Sequence, residues 1–190
     1  MVAENAKADE VETELRAQIE LAKRQGVPLS HLDTHMGAVL ARQDIVEVYV
    51  KLALEYDLPM LWLRRLTEEQ QQAYPHFTAL AERTVEQLDQ RRLPVLDHLL
   101  QFYGPDDLVA REQIYADAIN NLEPGINLLI IHSALDGPEL QAITTSHKRR
   151  HQDYELFSRP EQRDGILAKG IELTSWKQLM HEMRGSKDPN

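Results

Sequence analysis

The spacing of apolar positions changes several times along this chain, and each change marks an element. Over residues 8–25, Val11, Leu15, Ile19 and Ala22 recur every three or four positions, the period of one helix face, and Gly26 offers a stop. Ile45, Val48, Leu52 and Tyr56 predict a second helix over 44–56. Between them, beyond Pro28, residues 30–35 read as a strand, and 59–64 (Pro-Met-Leu-Trp-Leu-Arg) as a short strand of buried type. A helical region covers 67–90, with Phe77, Leu80, Ala81 and Leu88 apolar, followed by a strand at 93–99 and a helix at 106–121 that Pro124-Gly125 ends. Residues 126–132 (Ile-Asn-Leu-Leu-Ile-Ile-His) are nearly continuous in branched apolar side chains, as expected of a strand buried on both faces of a parallel sheet. An irregular loop at 133–144, a helical region at 145–168 broken at Pro160, a short strand at 170–173 and a helix at 175–183 capped by Thr174 complete the pattern.

The four main strand starts lie near 30, 59, 93 and 126, about thirty residues apart, which is the length of one βα unit. The fold class is therefore α/β: a parallel sheet with flanking helices, open or incomplete as a barrel because too few strands are present to close one. A single domain over 1–184 is expected, with 185–190 as a disordered tail. In parallel α/β folds the site lies at the C-terminal strand ends. His35, Arg64 and His132 all stand at such ends.

Composition narrows the function without choosing it. The 190 residues carry a net charge of −10, which argues against a general nucleic-acid binder; Lys148, Arg149 and Arg150 form only a local basic cluster. There is no cysteine, so any metal would be held by histidines and carboxylates. No apolar run approaches the roughly 20 residues of a membrane span, and the acidic N-terminal segment has no signal-peptide core, so a cytoplasmic location is the expectation.

The densest chemistry is Ser30-His31-Leu32-Asp33-Thr34-His35. If the segment is a strand, alternate residues face one way and His31, Asp33 and His35 share a side, where a divalent metal or a hydrolytic site would compensate their crowding. Arg150 and Asp153, three apart on a helix, read as a surface ion pair. His147 and His151 have the i, i+4 spacing that can ligate metal, but without a third ligand they read as solvated, and His76, His98 and His181 stand in no pattern. Trp62 reads as core; Trp176 could be core or a substrate platform.

These residues resemble a known family. His31-Leu-Asp-Thr-His35, preceded by the helix from Asp9, looks like the central motif of the YdjC-like carbohydrate deacetylases. The likeness continues at Leu128-Leu-Ile-Ile-His-Ser133, at Arg150-His-Gln-Asp-Tyr154 and at Gly170-Ile-Glu-Leu-Thr-Ser175, and so covers nearly the whole chain. It implies an irregular (β/α) barrel of polysaccharide-deacetylase type, a divalent metal such as magnesium or zinc, an N-acetylated sugar or oligosaccharide as substrate and a homodimer as the assembly. His35 matches a metal ligand and His132 the late active-site histidine, a general acid toward the departing amine. His31, Asp33, Arg64, Arg150 and Asp153 would support these or contact substrate.

Family members begin with a strand bearing an Asp-Asp-Phe-Gly-like motif and continue with a strand of Gly-x-His type, which supply the base and further ligands. Neither motif occurs here, and Asp106-Asp107 opens a helix instead. The expectation is an N-terminally incomplete deacetylase with little activity alone. The alternative is a non-catalytic α/β remnant that binds a partner through its bare sheet edge.

Overall fold

A computed structural model describes residues 5–40, 42–73 and 77–185. The chain divides into two compact units, one of Met1–Asp97 with Thr174–Asn190 and the other of His98–Leu173. Both are mixed α/β, and every strand pairing among the described residues is parallel.

The first unit is built on helix α1 (Ala8–Arg24) and helix α2 (Gln43–Glu55). Ile19 of α1 packs with Val48 and Leu52 of α2. The opposite side of α2, with Val46, Tyr49, Val50 and Ala53, joins Met60, Trp62, Leu80, Leu88, Leu93 and Val95 in the main core. Trp62 is thus core, as its sequence context predicts, and its indole N–H donates to the Ala81 carbonyl at 3.4 Å. The helical region expected at 67–90 is observed as α3 (Glu68–Ala73) and α4 (Thr78–Gln90). His76 lies outside the described residues.

The strand expected at 30–35 is reduced to one parallel bridge, Leu32 to Met60, held by Leu32 N–H to Pro59 O (2.8 Å) and Leu61 N–H to Leu32 O (3.2 Å). A second parallel bridge joins Leu63 to Leu96. Strand-like geometry stops before His35, which opens a 3-10 segment, His35–Leu40. Local turn chemistry overrides the alternating pattern: the Asp33 carboxylate accepts the Thr34 N–H at 2.8 Å, the Thr34 hydroxyl accepts Val39 N–H at 3.4 Å, and Met36 and Gly37 take positive φ values of 53° and 67°.

The second unit begins with β1 (His98–Gln101), in register with β2 (Asn127–Ile130), so that His98 faces Asn127 and Gln101 faces Ile130. Helix α5 (Leu108–Asn120) connects them, its N-terminus capped by Asp107 accepting Ala110 N–H at 2.9 Å. The strand expected over 93–99 therefore enters its ladder late, while Leu93, Val95 and Leu96 are buried ahead of it. The strand expected over 126–132 is shorter than its apolar run, and its residues are half-buried rather than enclosed on both faces. Helix α6 (Pro138–Ile143) lies within the stretch expected to be irregular. Helices α7 (His147–Phe157) and α8 (Pro160–Leu167) follow, with the break at Pro160 where expected.

Residues 170–173 do not form the strand expected of them, and Leu173 is exposed. Helix α9 (Trp176–Arg184) returns to the first unit and is capped by Ser175, whose hydroxyl accepts Gln178 N–H at 3.2 Å, rather than by Thr174. Gly185 closes α9 at φ 63°, a value that glycine adopts without strain. The tail expected beyond it lies outside the described residues. No described helix is long and apolar enough to cross a membrane.

Candidate active site

The candidate residues fall into two groups, one in each unit. In the first, His31 is half-buried, its Nδ1 lies 2.9 Å from the Ser30 hydroxyl, and its ring stacks on Trp176 at 5.2 Å with planes 17° apart. Trp176 thus serves the packing of His31. Asp33 and His35 are exposed. Arg64 is engaged by carboxylates: its guanidinium grips both oxygens of Asp89, at 2.8 and 3.0 Å, with Asp97 at 3.6 Å.

Burial pushes the His31 imidazole below its ordinary pKa, an effect partly opposed by Asp33. The folded chain therefore resists protonation more than the unfolded chain does. The stabilisation is full above the unfolded value, near 6.5, and is lost as pH falls through the lower folded value. We expect the melting temperature to fall between pH 7 and pH 5. His31→Phe, which keeps an aromatic ring against Trp176, should flatten that fall; an unchanged profile would remove the assignment.

The second group is assembled by α5 and α7 around the end of β2. Asp153 of α7 is 1% exposed and does not pair with Arg150 on the surface. Its carboxylate is claimed by Arg111 of α5, also 1% exposed, whose Nε and Nη2 donate to Oδ1 at 2.8 and 2.6 Å. The Tyr115 hydroxyl adds a third bond to Oδ1 at 2.9 Å, and Oδ2 accepts the main-chain N–H of His132 at 3.0 Å. A buried charge pair of this kind is tolerated only when its remaining hydrogen-bond capacity is filled. Here Nη1 of Arg111 also reaches the carbonyls of Gly104 and Pro105 at 3.3 Å, and Nη2 that of Phe102 at 3.4 Å. Burial, together with the bond to Asp153, pushes the Tyr115 phenol up to about 12, so it stays protonated and donating. Its ring meets Phe102 and Phe157 edge-on at 5.5 and 4.9 Å.

His132 therefore leaves β2 with its main chain clamped. The clamp extends to Ala134, whose N–H donates to the Arg150 carbonyl at 3.0 Å. Its imidazole Nε2 lies 3.5 Å from the Gln101 amide nitrogen, and its ring centre is 6.4 Å from that of Tyr103. A cavity of about 90 Å³ opens here, lined among others by His132, Tyr103, Ser146, Arg149 and Arg150. The Arg150 Nε donates to the Ser146 hydroxyl at 3.1 Å. Sequence reasoning reached His132, Arg150 and Asp153 but missed Arg111, Tyr115 and Tyr103. The available signal was an arginine four positions before a tyrosine on one helix face, Arg111 and Tyr115, too common a spacing to single out.

Elsewhere on this unit, His147 Nδ1 lies 3.1 Å from an Asp136 oxygen and His151 Nδ1 accepts the Asp136 N–H at 3.3 Å, so the i, i+4 pair is engaged with a loop. Among the described residues, no three or more histidine or carboxylate side chains stand together in a way that could hold a metal ion. The exposed His35 turn thus does not fit a metal centre through the described residues alone.

The comparisons with known proteins agree with the motifs. A family model described as YdjC-like protein matches residues 1–167, and the chain belongs to that family. A carbohydrate deacetylase of Thermus thermophilus is 38% identical over 174 residues, 90% of this chain and 60% of the relative. A carbohydrate deacetylase of Thermoanaerobacter pseudethanolicus is 24% identical over 177 residues, 93% of this chain and 62% of the relative. A crystal structure of an Enterococcus faecalis protein proposed to cleave cellobiose phosphate superposes with a TM-score of 0.65 at 20% identity, covering 93% of this chain and 62% of that one, which establishes a shared fold. The chain thus spans about 60% of the length of the curated relatives it matches.

Proposed function

We propose that this chain carries part of the active site of a metal-dependent carbohydrate deacetylase, with its parallel pairings as segments of an incomplete (β/α) barrel. The reaction is hydrolysis of the N-acetyl amide of an amino sugar or its oligosaccharide. A water oxygen bonds to the carbonyl carbon, the C–N bond breaks, acetate leaves, and the departing amine takes a proton. His132 is the donor of that proton. The observation that supports this role is the fixed main chain of His132: Asp153, itself held by Arg111 and Tyr115, accepts its N–H, and the imidazole lines a small cavity. A general acid must meet its acceptor within hydrogen-bond reach, and a clamped backbone removes one source of misplacement. His35 is the position carried over as a ligand to magnesium or zinc, and completing that coordination requires groups beyond the described residues.

The test is a pair of measurements with triacetylchitotriose and millimolar magnesium or zinc. Acetate release by this chain is expected at background, whereas the His132 ring resonances are expected to shift with the sugar. Acetate release at the rate of a full-length deacetylase would overturn the incompleteness, and unmoved His132 resonances would overturn the assignment of the site.

A further inference from the structure

Tyr103 is 69% exposed although it sits at the mouth of the His132 cavity. Its backbone is not loose. The Tyr103 carbonyl accepts a hydrogen bond from the Arg149 guanidinium, and Arg149 is in turn paired with Asp106 at 3.1 Å. The ring is therefore an exposed aromatic face on a tethered main chain, tilted 33° to the imidazole of His132.

The cavity itself is too small for a sugar. Pockets that enclose a whole small ligand have roughly 300–1,000 Å³, against about 90 Å³ here. A group the size of an acetamide fits inside, and the ring bearing it must lie across the rim. What the rim offers is the Tyr103 ring. The face of an aromatic ring is the negative part of its quadrupole, and the axial C–H bonds of a pyranose present a weakly positive apolar face that complements it.

We propose that Tyr103 is a specificity-determining residue that stacks one pyranose ring of the substrate, so that the acetamido group of that ring enters the cavity beside His132. The seating of the acyl group rests on the deacetylase reading; the stacking needs only a pyranose. The arrangement selects first for a ring with an unhindered apolar face and then for a substituent small enough for the cavity. The Tyr103 hydroxyl has no part in it.

Binding of triacetylchitotriose and of cellotriose to the full chain, followed by saturation-transfer and chemical-shift NMR, tests this. Triacetylchitotriose should saturate through the axial ring protons and the acetyl methyl, and should bind at least ten-fold more tightly than cellotriose. Tyr103→Ala should weaken triacetylchitotriose at least ten-fold, and Tyr103→Phe should stay within two-fold of the parent. Because the side chain is exposed, both variants should melt with the parent, which circular dichroism checks. Shifts at His132 with affinity unchanged in Tyr103→Ala would overturn the stacking role and leave the deacetylase reading standing. Equal affinity for cellotriose would overturn the seating of the acetamido group. Binding of neither sugar by the parent chain would overturn this proposal and the deacetylase site together.

Discussion

Replacing Asp153 with alanine is expected to lower the unfolding free energy by about 3–5 kcal/mol, because removing one partner of a buried pair leaves the other charge uncompensated. Arg111 would keep its charge at 1% exposure, with three main-chain carbonyls and the Tyr115 hydroxyl as its remaining acceptors. The Tyr115 hydroxyl and the His132 N–H would lose their acceptor in the same change. Urea titrations followed by circular dichroism measure the loss. A double variant, Arg111→Met with Asp153→Leu, removes both charges and is expected to recover part of the stability, since apolar replacements of buried pairs are often neutral or better, while the Tyr115 hydroxyl and the His132 N–H stay without their acceptor. It should not recover the slow hydrogen exchange of the His132 amide, which no longer has its partner. A single Asp153→Ala variant as stable as the parent would mean that the pair does not organise this unit.

The second large effect belongs to Trp62. Truncation to alanine is expected to cost about 3–5 kcal/mol through lost burial and the cavity left behind. Trp62 is 6% exposed and lies among Met60, Leu80, Ala81 and Leu93 in the core of the first unit. Trp62→Phe keeps most of that volume and should cost much less, although the indole bond to Ala81 is lost. The same titration measures both, and triacetylchitotriose binding by a folded Trp62→Phe variant should match the parent. A cost below about 1 kcal/mol for Trp62→Ala would contradict the core assignment.

Much of the fold could be read along the chain because its signals are local. The apolar stripe of α2, the Asp107 cap of α5, the apolar run of β2 and the break at Pro160 each depend on residues within a few positions of one another. Failures came where two local signals competed or where the deciding partner was distant. At residues 30–35 the alternating pattern suggested a strand, but the short bonds from Asp33 and Thr34 to nearby main-chain groups cost no loop closure and bent the chain at His35. At Asp153 the near neighbour Arg150 invited an ion pair. The true partner, Arg111, is 42 residues away on another helix, and no spacing along the chain points to it. His132 could be recognised from its place after an apolar strand; what holds it could not. The comparisons with known proteins support the family resemblance that the His31–His35 motif first suggested, while the structure half-buries His31 and leaves Asp33 and His35 exposed, in place of a shared strand face.

The Arg111–Asp153 tie also bears on what sets the geometry of this unit's site. The two residues bracket a loop of the chain that contains all of β2, and Asp153 reaches the His132 N–H from the far side of that loop. The β1–β2 ladder does not include His132; its main chain is held by Asp153 of α7, which Arg111 and Tyr115 of α5 hold in turn. The site's geometry is thus a consequence of helix docking as well as of strand pairing.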